Sequence, residues 1–131
     1  MLSEASSSRA AAFHRRWVVP QERITYAFGP FELNPAQRVL LCQRQPVGLT
    51  ARCFDLLWLL ISNRHRMLSR EELFETLWEG VCVEDANLTV NVSSLRKALG
   101  EDRRERRYIA TLPRRGYRFV AEVMVQASSV I

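Results

Sequence analysis

The spacing of the apolar residues changes twice between residues 24 and 123. It is typical of strands at the beginning and the end of this range and of helices in the middle. Between residues 24 and 49 the apolar residues alternate with polar or small residues, and Gly, Pro and Asn interrupt the run. A period of two broken by turn residues is typical of short antiparallel strands. We therefore predict a small antiparallel sheet with a scaffolding role, because the segment carries no charge cluster and no acid–base pair.

The segment after Thr50 is strongly hydrophobic and predicts a central helix. Its apolar residues, between positions 54 and 61, follow helical spacing and cover most of the helix surface. A helix that is apolar on most sides is buried. Thr50 is a favourable N-cap, and the basic stretch 63–66 suits the negative end of the helix dipole.

A second helix is indicated by its start signal. Residues 69–72, Ser-Arg-Glu-Glu, form a capping box, in which the first and last side chains bond to each other's backbone N–H groups. Leu73, Leu77 and Trp78 give this helix one apolar face. Residues 79–84 have no clear period, so we expect a loop there.

A third helix is predicted over residues 85–99, with Asp85 as its N-cap and Gly100 just past its end. Its core face repeats at spacings of four, three and four residues: Leu88, Val92, Leu95 and Leu99. The opposite face is small and polar: Ala86, Asn87, Val90, Ser93, Ser94 and Lys97, with Asn91 and Arg96 at its borders. Such a face suits insertion into a groove.

A β-hairpin is predicted at residues 108–123. Two apolar runs, 108–112 and 117–123, flank the turn sequence Pro-Arg-Arg-Gly at 113–116. This arrangement places Arg114 and Arg115 at the hairpin tip.

The positive charge of the chain is concentrated beside this hairpin. The composition is 47% hydrophobic and 25% charged, as in a globular domain, and the net charge is +5. Residues 103–118 contain seven arginines and one acid, Glu105, a local balance of +6, so the rest of the chain sums to −1. The basicity is therefore a patch, which suits a polyanionic partner at this side.

Residue types needed for catalysis or metal binding do not occur at suitable spacing. His14 and His65 lie far apart, without a cysteine or carboxylate at ligand distance along the chain, and neither a Gly-rich phosphate loop nor a Ser/His/Asp set is present. We expect no enzymatic activity, no metal and no cofactor.

The three cysteines are scattered and form no C-x-x-C pair. We expect Cys42, Cys53 and Cys82 to be reduced structural thiols of a cytosolic protein, with a redox-sensing thiol as the alternative.

The organisation predicted is one domain with two short extensions. Residues 1–22 are expected to be a basic tail, with a short helix around 10–17 as an option; residues 23–124 the domain; and residues 125–131 a tail or the start of a missing segment. The sequence shows neither a signal peptide nor a membrane span. We expect a cytoplasmic protein without membrane contact in this chain, or the cytoplasmic part of a membrane-anchored protein if the native chain is longer.

The predicted order of elements is sheet, three helices, hairpin. This is an α+β fold, a winged helix-turn-helix with an N-terminal small antiparallel sheet, three helices and a C-terminal β-hairpin wing. The third helix fits the major groove of double-stranded DNA, which is about 12 Å wide. Arginines at the hairpin tip suit phosphates or the minor groove.

The sequence resembles the DNA-binding effector domain of the OmpR/PhoB response regulators, and still more the ToxR/CadC-like one-component transcriptional regulators. The resemblance rests on the shared order of several short motifs across residues 26–123. These motifs are FGPFEL at 28–33, PVGLT at 46–50, FDLL at 54–57, SREEL at 69–73, LW at 77–78, LTVNVSSLRKALG at 88–100 and YIATLPRRGYRF at 108–119.

The resemblance implies roles for individual residues. Those expected to contact base edges are Asn87, Val90, Asn91 and Ser94. Those expected to contact the DNA backbone are Thr89, Ser93, Arg96, Lys97, Arg103, Arg104, Arg107 and Thr111. Those expected to act in the wing are Arg114, Arg115, Gly116, Tyr117 and Arg118. Those implied as an RNA polymerase contact are Glu79, Gly80, Val81 and Glu84.

The resemblance also implies a homodimer on tandem half-sites about one helical turn apart. Ser93 and Ser94 stand where such helices often carry basic residues, so we expect the wing to supply most of the affinity. The alternative is a winged-helix protein–protein interaction module without DNA binding, which should expose an apolar patch instead of a basic one. RNA binding is disfavoured because no aromatic platform for stacking bases is apparent.

Overall fold

The computed structural model describes residues 23–102 and 104–127. Within them the chain forms three helices and two antiparallel sheets. The elements in chain order are β1 (Ile24–Phe28), β2 (Phe31–Asn34), β3 (Val39–Cys42), β4 (Gln45–Pro46), α1 (Ala51–Ser62), β5 (Leu68–Ser69), α2 (Arg70–Leu77), α3 (Ala86–Ala98), β6 (Ile109–Leu112), β7 (Gly116–Phe119) and β8 (Met124–Ala127). The expected tail 1–22, the optional helix at 10–17 and Arg103 lie outside the described residues.

The first sheet has the strand order β4-β3-β2-β1-β8. Strands β1 to β3 form the predicted antiparallel arrangement, in which Leu33 lies opposite Tyr26 on one side and opposite Leu40 on the other. Leu33 and Leu40 are fully buried, as the alternating pattern requires.

Strand β8 corrects the predicted end of the domain. The sequence assigned residues 125–131 to a tail or to the start of a missing segment, but Val125 lies opposite Tyr26 and Ala127 opposite Ile24 in the first sheet. All four β8 side chains are exposed, so the strand has no alternating apolar signal. Its place in the sheet rests on backbone hydrogen bonds to β1, which a hydrophobic pattern does not report.

The second sheet has the order β5-β7-β6 and contains the predicted hairpin. The first hairpin strand is Ile109–Leu112 where 108–112 was expected, and the second is Gly116–Phe119 where 117–123 was expected. The Val120 N–H still donates to the Tyr108 carbonyl at 2.8 Å, and residues 121–123 lie outside the hairpin. The two-residue strand β5 was not predicted; it pairs with β7, with Leu68 opposite Tyr117. A strand this short carries no periodicity.

The core connects the two sheets through α1 and a group of aromatic rings. Eight residues of α1 are buried. Phe28 of β1 packs edge-on against Phe119 of β7 with ring centroids 5.2 Å apart, and Phe31 packs against Tyr108 at 5.6 Å. These edge-to-face pairs add to the burial energy and hold the hairpin firmly on the first sheet.

The helix starts confirm two of the three predicted N-caps. Thr50 accepts a hydrogen bond from the Cys53 N–H at 3.1 Å, and Ser69 and Glu72 form the capping box. Asp85 was predicted wrongly as a cap, because its own backbone is helical (φ −54°, ψ −33°) and its side chain accepts no capping bond. None of the helices in the described ranges is long and apolar enough to cross a membrane.

Candidate nucleic-acid interface

Helix α3 presents the two faces that its sequence predicts. The four core positions, Leu88, Val92, Leu95 and Leu99, are all buried. The six residues assigned to the outer face are all exposed, and the two border residues, Asn91 and Arg96, are half-buried. Val90 is 59% exposed, a large value for an aliphatic side chain in a folded domain. The outer face of α3 is therefore available to a partner.

The two asparagines expected to contact bases are partly engaged within the protein. The Asn87 Nδ2 donates to the Glu84 carbonyl at 3.1 Å, and the Asn91 Nδ2 donates to the Asn87 carbonyl at 2.7 Å. The buried Cys53 thiol lies 3.5 Å from the Asn91 Oδ1. Asn87 is exposed and Asn91 half-buried, so Asn87 is the freer of the two.

Arg96 points inward and ties α3 to the wing. Its Nε donates to Glu101 at 3.1 Å, and one terminal nitrogen donates to the Ile109 carbonyl at 2.9 Å and to the Thr111 hydroxyl at 2.6 Å. The Arg96 side chain is only 12% exposed. Burial, and then the positive charge of Arg106, lower the pKa of Arg96, while Glu101 raises it. Arg96 therefore positions the hairpin.

Glu101, which the sequence analysis did not single out, organises the junction between α3 and the hairpin. Its side chain is fully buried. One carboxylate oxygen accepts from the N–H groups of Tyr108 and Ile109, at 2.6 and 3.0 Å, and the other faces Arg96 and Arg106. A buried carboxylate is stable only when it is paired and hydrogen-bonded, and all of these partners serve that need.

Arg70 is a second connecting residue that the sequence analysis missed. Its guanidinium donates to the Tyr117 hydroxyl at 3.0 Å, to the Thr89 hydroxyl at 3.3 Å and to the Asp85 carbonyl at 3.4 Å. Its backbone N–H donates to the Arg115 carbonyl at 3.3 Å. Arg70 thus joins the start of α2 to the beginning of α3 and to the hairpin tip.

The hairpin residues divide into exposed and buried ones. Arg114, Arg115 and Arg118 are exposed, and Arg114 has a positive φ of 63°, which belongs to the tight turn. Gly116 and Tyr117 are buried, and a side chain at Gly116 would collide with the Leu68 carbonyl of β5. The arginines therefore form the outer tip, while Gly116 and Tyr117 seat the hairpin on the domain.

The arginines that follow α3 also differ in their surroundings. Arg107 forms an exposed ion pair with Glu105 at 2.9 Å. Arg104 is exposed, and the Arg106 guanidinium lies 3.6 Å from Glu101. Among the described arginines of this segment, Arg104 and Arg106 therefore make no side-chain hydrogen bond to another described residue.

The loop between α2 and α3 is exposed where an RNA polymerase contact was expected. Glu79, Gly80, Val81 and Glu84 are all exposed, and Val81 reaches 58%. Gly80 has a φ of +72°, a conformation that glycine adopts without strain.

Comparison with known proteins identifies the family. A sequence profile described as "Transcriptional regulatory protein, C terminal" matches residues 44–119, more than half of the chain. The chain belongs to this family. The resemblance to OmpR/PhoB-type effector domains and to ToxR/CadC-like regulators is thereby confirmed, as is the winged-helix fold.

Individual relatives of this family member are transcriptional activators. The cholera toxin transcriptional activator of Vibrio cholerae is 37% identical over 70 residues, which cover 52% of this chain and 24% of that protein. The transcriptional activator CadC of Escherichia coli is 31% identical over 97 residues, covering 73% of this chain and 19% of CadC. The chain thus spans less than a quarter of the length of these curated relatives.

Solved structures of related domains superpose on the chain over most of its length. The DNA-binding domain of E. coli CadC matches with a TM-score of 0.66 and 29% identity, covering 81% of this chain and 98% of that one. The DNA-binding domain of Klebsiella pneumoniae RstA, solved in complex with the RstA box, matches with a TM-score of 0.65 and 31% identity, covering 72% of this chain and 95% of that one.

Proposed function

We propose that this domain binds double-stranded DNA with sequence preference and thereby regulates transcription, without catalysis. The observation that carries the proposal is the pairing of two surfaces: the exposed polar face of α3 and the arginine tip of the adjoining hairpin. Arg96, Glu101 and Arg70 connect α3 to the hairpin through hydrogen bonds, which supports contact of both surfaces with one duplex. Membership in a family of transcriptional regulatory domains supports it.

In this proposal the two surfaces do different work. Asn87, Val90, Asn91 and Ser94 enter the major groove, where an asparagine amide pairs with adenine and a valine methyl meets thymine. The exposed cations at the tip and beside α3 contact phosphates, which position the domain without selecting sequence. The hydrogen bond between Arg96 and Thr111 joins α3 to the hairpin that carries the tip.

A salt titration of the unmodified domain tests the proposal. With about six phosphates neutralised, the affinity for a duplex should fall by about 10³ between about 50 and 200 mM salt. Fluorescence anisotropy of a labelled duplex measures this. Affinity that does not depend on salt, or no binding to any duplex, would contradict DNA binding and favour a protein-interaction module.

Two substitutions should separate base recognition from backbone contact. Asn87→Ala is expected to cost about 1–3 kcal/mol at one base position and to relax the preference there. Arg115→Ala removes a phosphate contact and should weaken binding to all sequences to a similar degree. Affinities for a panel of single-base operator variants measure both effects. A uniform loss for Asn87→Ala would show that α3 is not the base-contacting element.

Three further parts of the proposal concern the intact regulator. The exposed loop residues Glu79, Gly80, Val81 and Glu84 are proposed to contact RNA polymerase. Two copies of the domain are proposed to bind tandem half-sites about one helical turn apart. The domain is proposed to act in the cytoplasm, because the bacterial chromosome that such a regulator would bind lies there.

A further inference from the structure

A cleft of about 370 Å³ lies between the outer side of α3 and the segment that follows it. Thr89, Ser93 and Lys97 line one wall at successive turns of α3, and Arg106 lies on the wall opposite them. Val92, Arg96, Glu101 and Tyr117 complete the lining. The cleft is open to solvent beside the surface proposed to face DNA.

The charges around this cleft are unbalanced. Three cations, Arg96, Lys97 and Arg106, line it against one carboxylate, that of Glu101. Glu101 is shared, since one of its oxygens lies 3.1 Å from the Arg96 Nε and 3.6 Å from the Arg106 guanidinium. Arg106 and Arg96 repel each other, and this repulsion contributes to the lowered pKa of Arg96. An anion between the walls would relieve the imbalance.

Several hydrogen-bond donors in the cleft have no acceptor. Within the part of the chain that the structure describes, the Ser93 hydroxyl and the Lys97 ammonium donate to no other residue. The Arg106 guanidinium approaches Glu101 only to 3.6 Å, which is an ion pair but beyond hydrogen-bond distance. Arg96 differs, because its Nε and one terminal nitrogen are already bonded inside the protein. Uncommitted donors of both walls therefore face one space.

We propose that this cleft seats one phosphate group of the DNA backbone, held by Ser93 and Lys97 from α3 and by Arg106 from the opposite wall. The inference rests on the proposed function and adds Arg106 to the residues expected to contact DNA. Glu101 acts as a positioning residue, since it holds Arg106 at the mouth of the cleft without consuming its donors. A phosphate accepts several charge-assisted hydrogen bonds at once, which matches the three donors.

The proposed phosphate site of Ser93, Lys97 and Arg106 is called the seat. Binding of a mixed-sequence duplex of about 30 base pairs, three helical turns, tests the seat in the intact chain. Arg106→Gln should make the slope of log affinity against log salt shallower by about 0.9, the share of one phosphate contact. Affinity at low salt should fall about tenfold. Arg106→Lys keeps the charge and should restore most of the slope. Thermal unfolding followed by circular dichroism shows that each variant is folded.

The matched control is Arg44→Gln. Arg44 is an exposed arginine of the β3–β4 turn in the first sheet, so the substitution removes the same charge far from the cleft along the chain. Its slope should equal that of the unmodified domain. An equal change in both variants would show a general charge effect and overturn the seat.

The remaining outcomes are distinguishable. If the unmodified domain binds DNA with a steep salt dependence and Arg106→Gln leaves the slope unchanged, the seat is wrong and the proposed function stands. If the unmodified domain binds no duplex, the proposed function fails and the seat fails with it.

Titration of inorganic phosphate, followed by the amide resonance of Ser93, measures the affinity of the cleft for a free anion. Weaker phosphate binding in Arg106→Gln without a change in duplex slope would assign the cleft to a free anion and overturn the DNA seat.

Discussion

Replacing Glu101 by alanine is expected to lower the free energy of unfolding by about 3–5 kcal/mol, the cost of removing one partner from a buried ion pair. The substitution would leave Arg96 buried beside an empty site and deprive the N–H groups of Tyr108 and Ile109 of their acceptor. Domains of this size are stable by about 5–15 kcal/mol, so the variant would lose a large part of its stability. Urea denaturation followed by tryptophan fluorescence measures the change.

Glu105→Ala is the matched control for this prediction. Glu105 belongs to the same segment and pairs with Arg107, but both side chains are largely exposed. An exposed pair contributes about 0–1 kcal/mol, so this variant should unfold close to the unmodified domain. Similar stabilities of the two variants would show that the Glu101 network does not hold the hairpin to α3.

Gly116→Ala is expected to destabilise the domain by about 3 kcal/mol or more, at the upper end of the cost of overpacking. A Cβ atom at this position would collide with the Leu68 carbonyl oxygen and would lie 2.8 Å from the Ser69 Cα. Both neighbours are backbone atoms, so no side chain can move aside. The methyl group would separate β5 from β7 and shift the hairpin tip. The midpoint of urea denaturation and the affinity for duplex DNA should therefore fall together.

Gly48→Ala provides the comparison. A Cβ atom there would have no neighbour within 4 Å, and the residue has no positive φ. The substitution should be neutral or stabilising by up to about 1 kcal/mol, because alanine restricts the unfolded chain. A loss for Gly116→Ala no larger than that for Gly48→Ala would contradict the close contact between β5 and β7.

The parts of the fold that follow a local period could be predicted from the sequence. Helix α3 is the clearest case, because the exposure of each side chain depends on its angle around one helix axis. The same logic identified α1 and the hairpin. It failed for β5 and β8, because a two-residue strand has no period and a strand with four exposed side chains has no apolar alternation.

The candidate site was predictable in its surfaces but not in its supports. The exposure of Asn87 and Val90 and the arginine tip followed from spacing and turn chemistry. Arg96 and Thr111 were both expected on the DNA backbone, which stays a prediction, but their bond to each other across 15 residues could not be predicted. Arg70 bonds to Tyr117 across 47 residues. Such pairings depend on how the elements dock, which no local pattern of residues reports.

The most direct test of the central claim is the ratio of affinities for a selected and a scrambled duplex. Repeated selection from a randomised duplex pool should enrich one related set of sequences. The domain should then bind the selected duplex at least about 10³-fold more tightly than a scrambled duplex of equal length at the same salt concentration. Equal affinity for the two duplexes, or failure to enrich any sequence, would contradict the claim that α3 recognises bases.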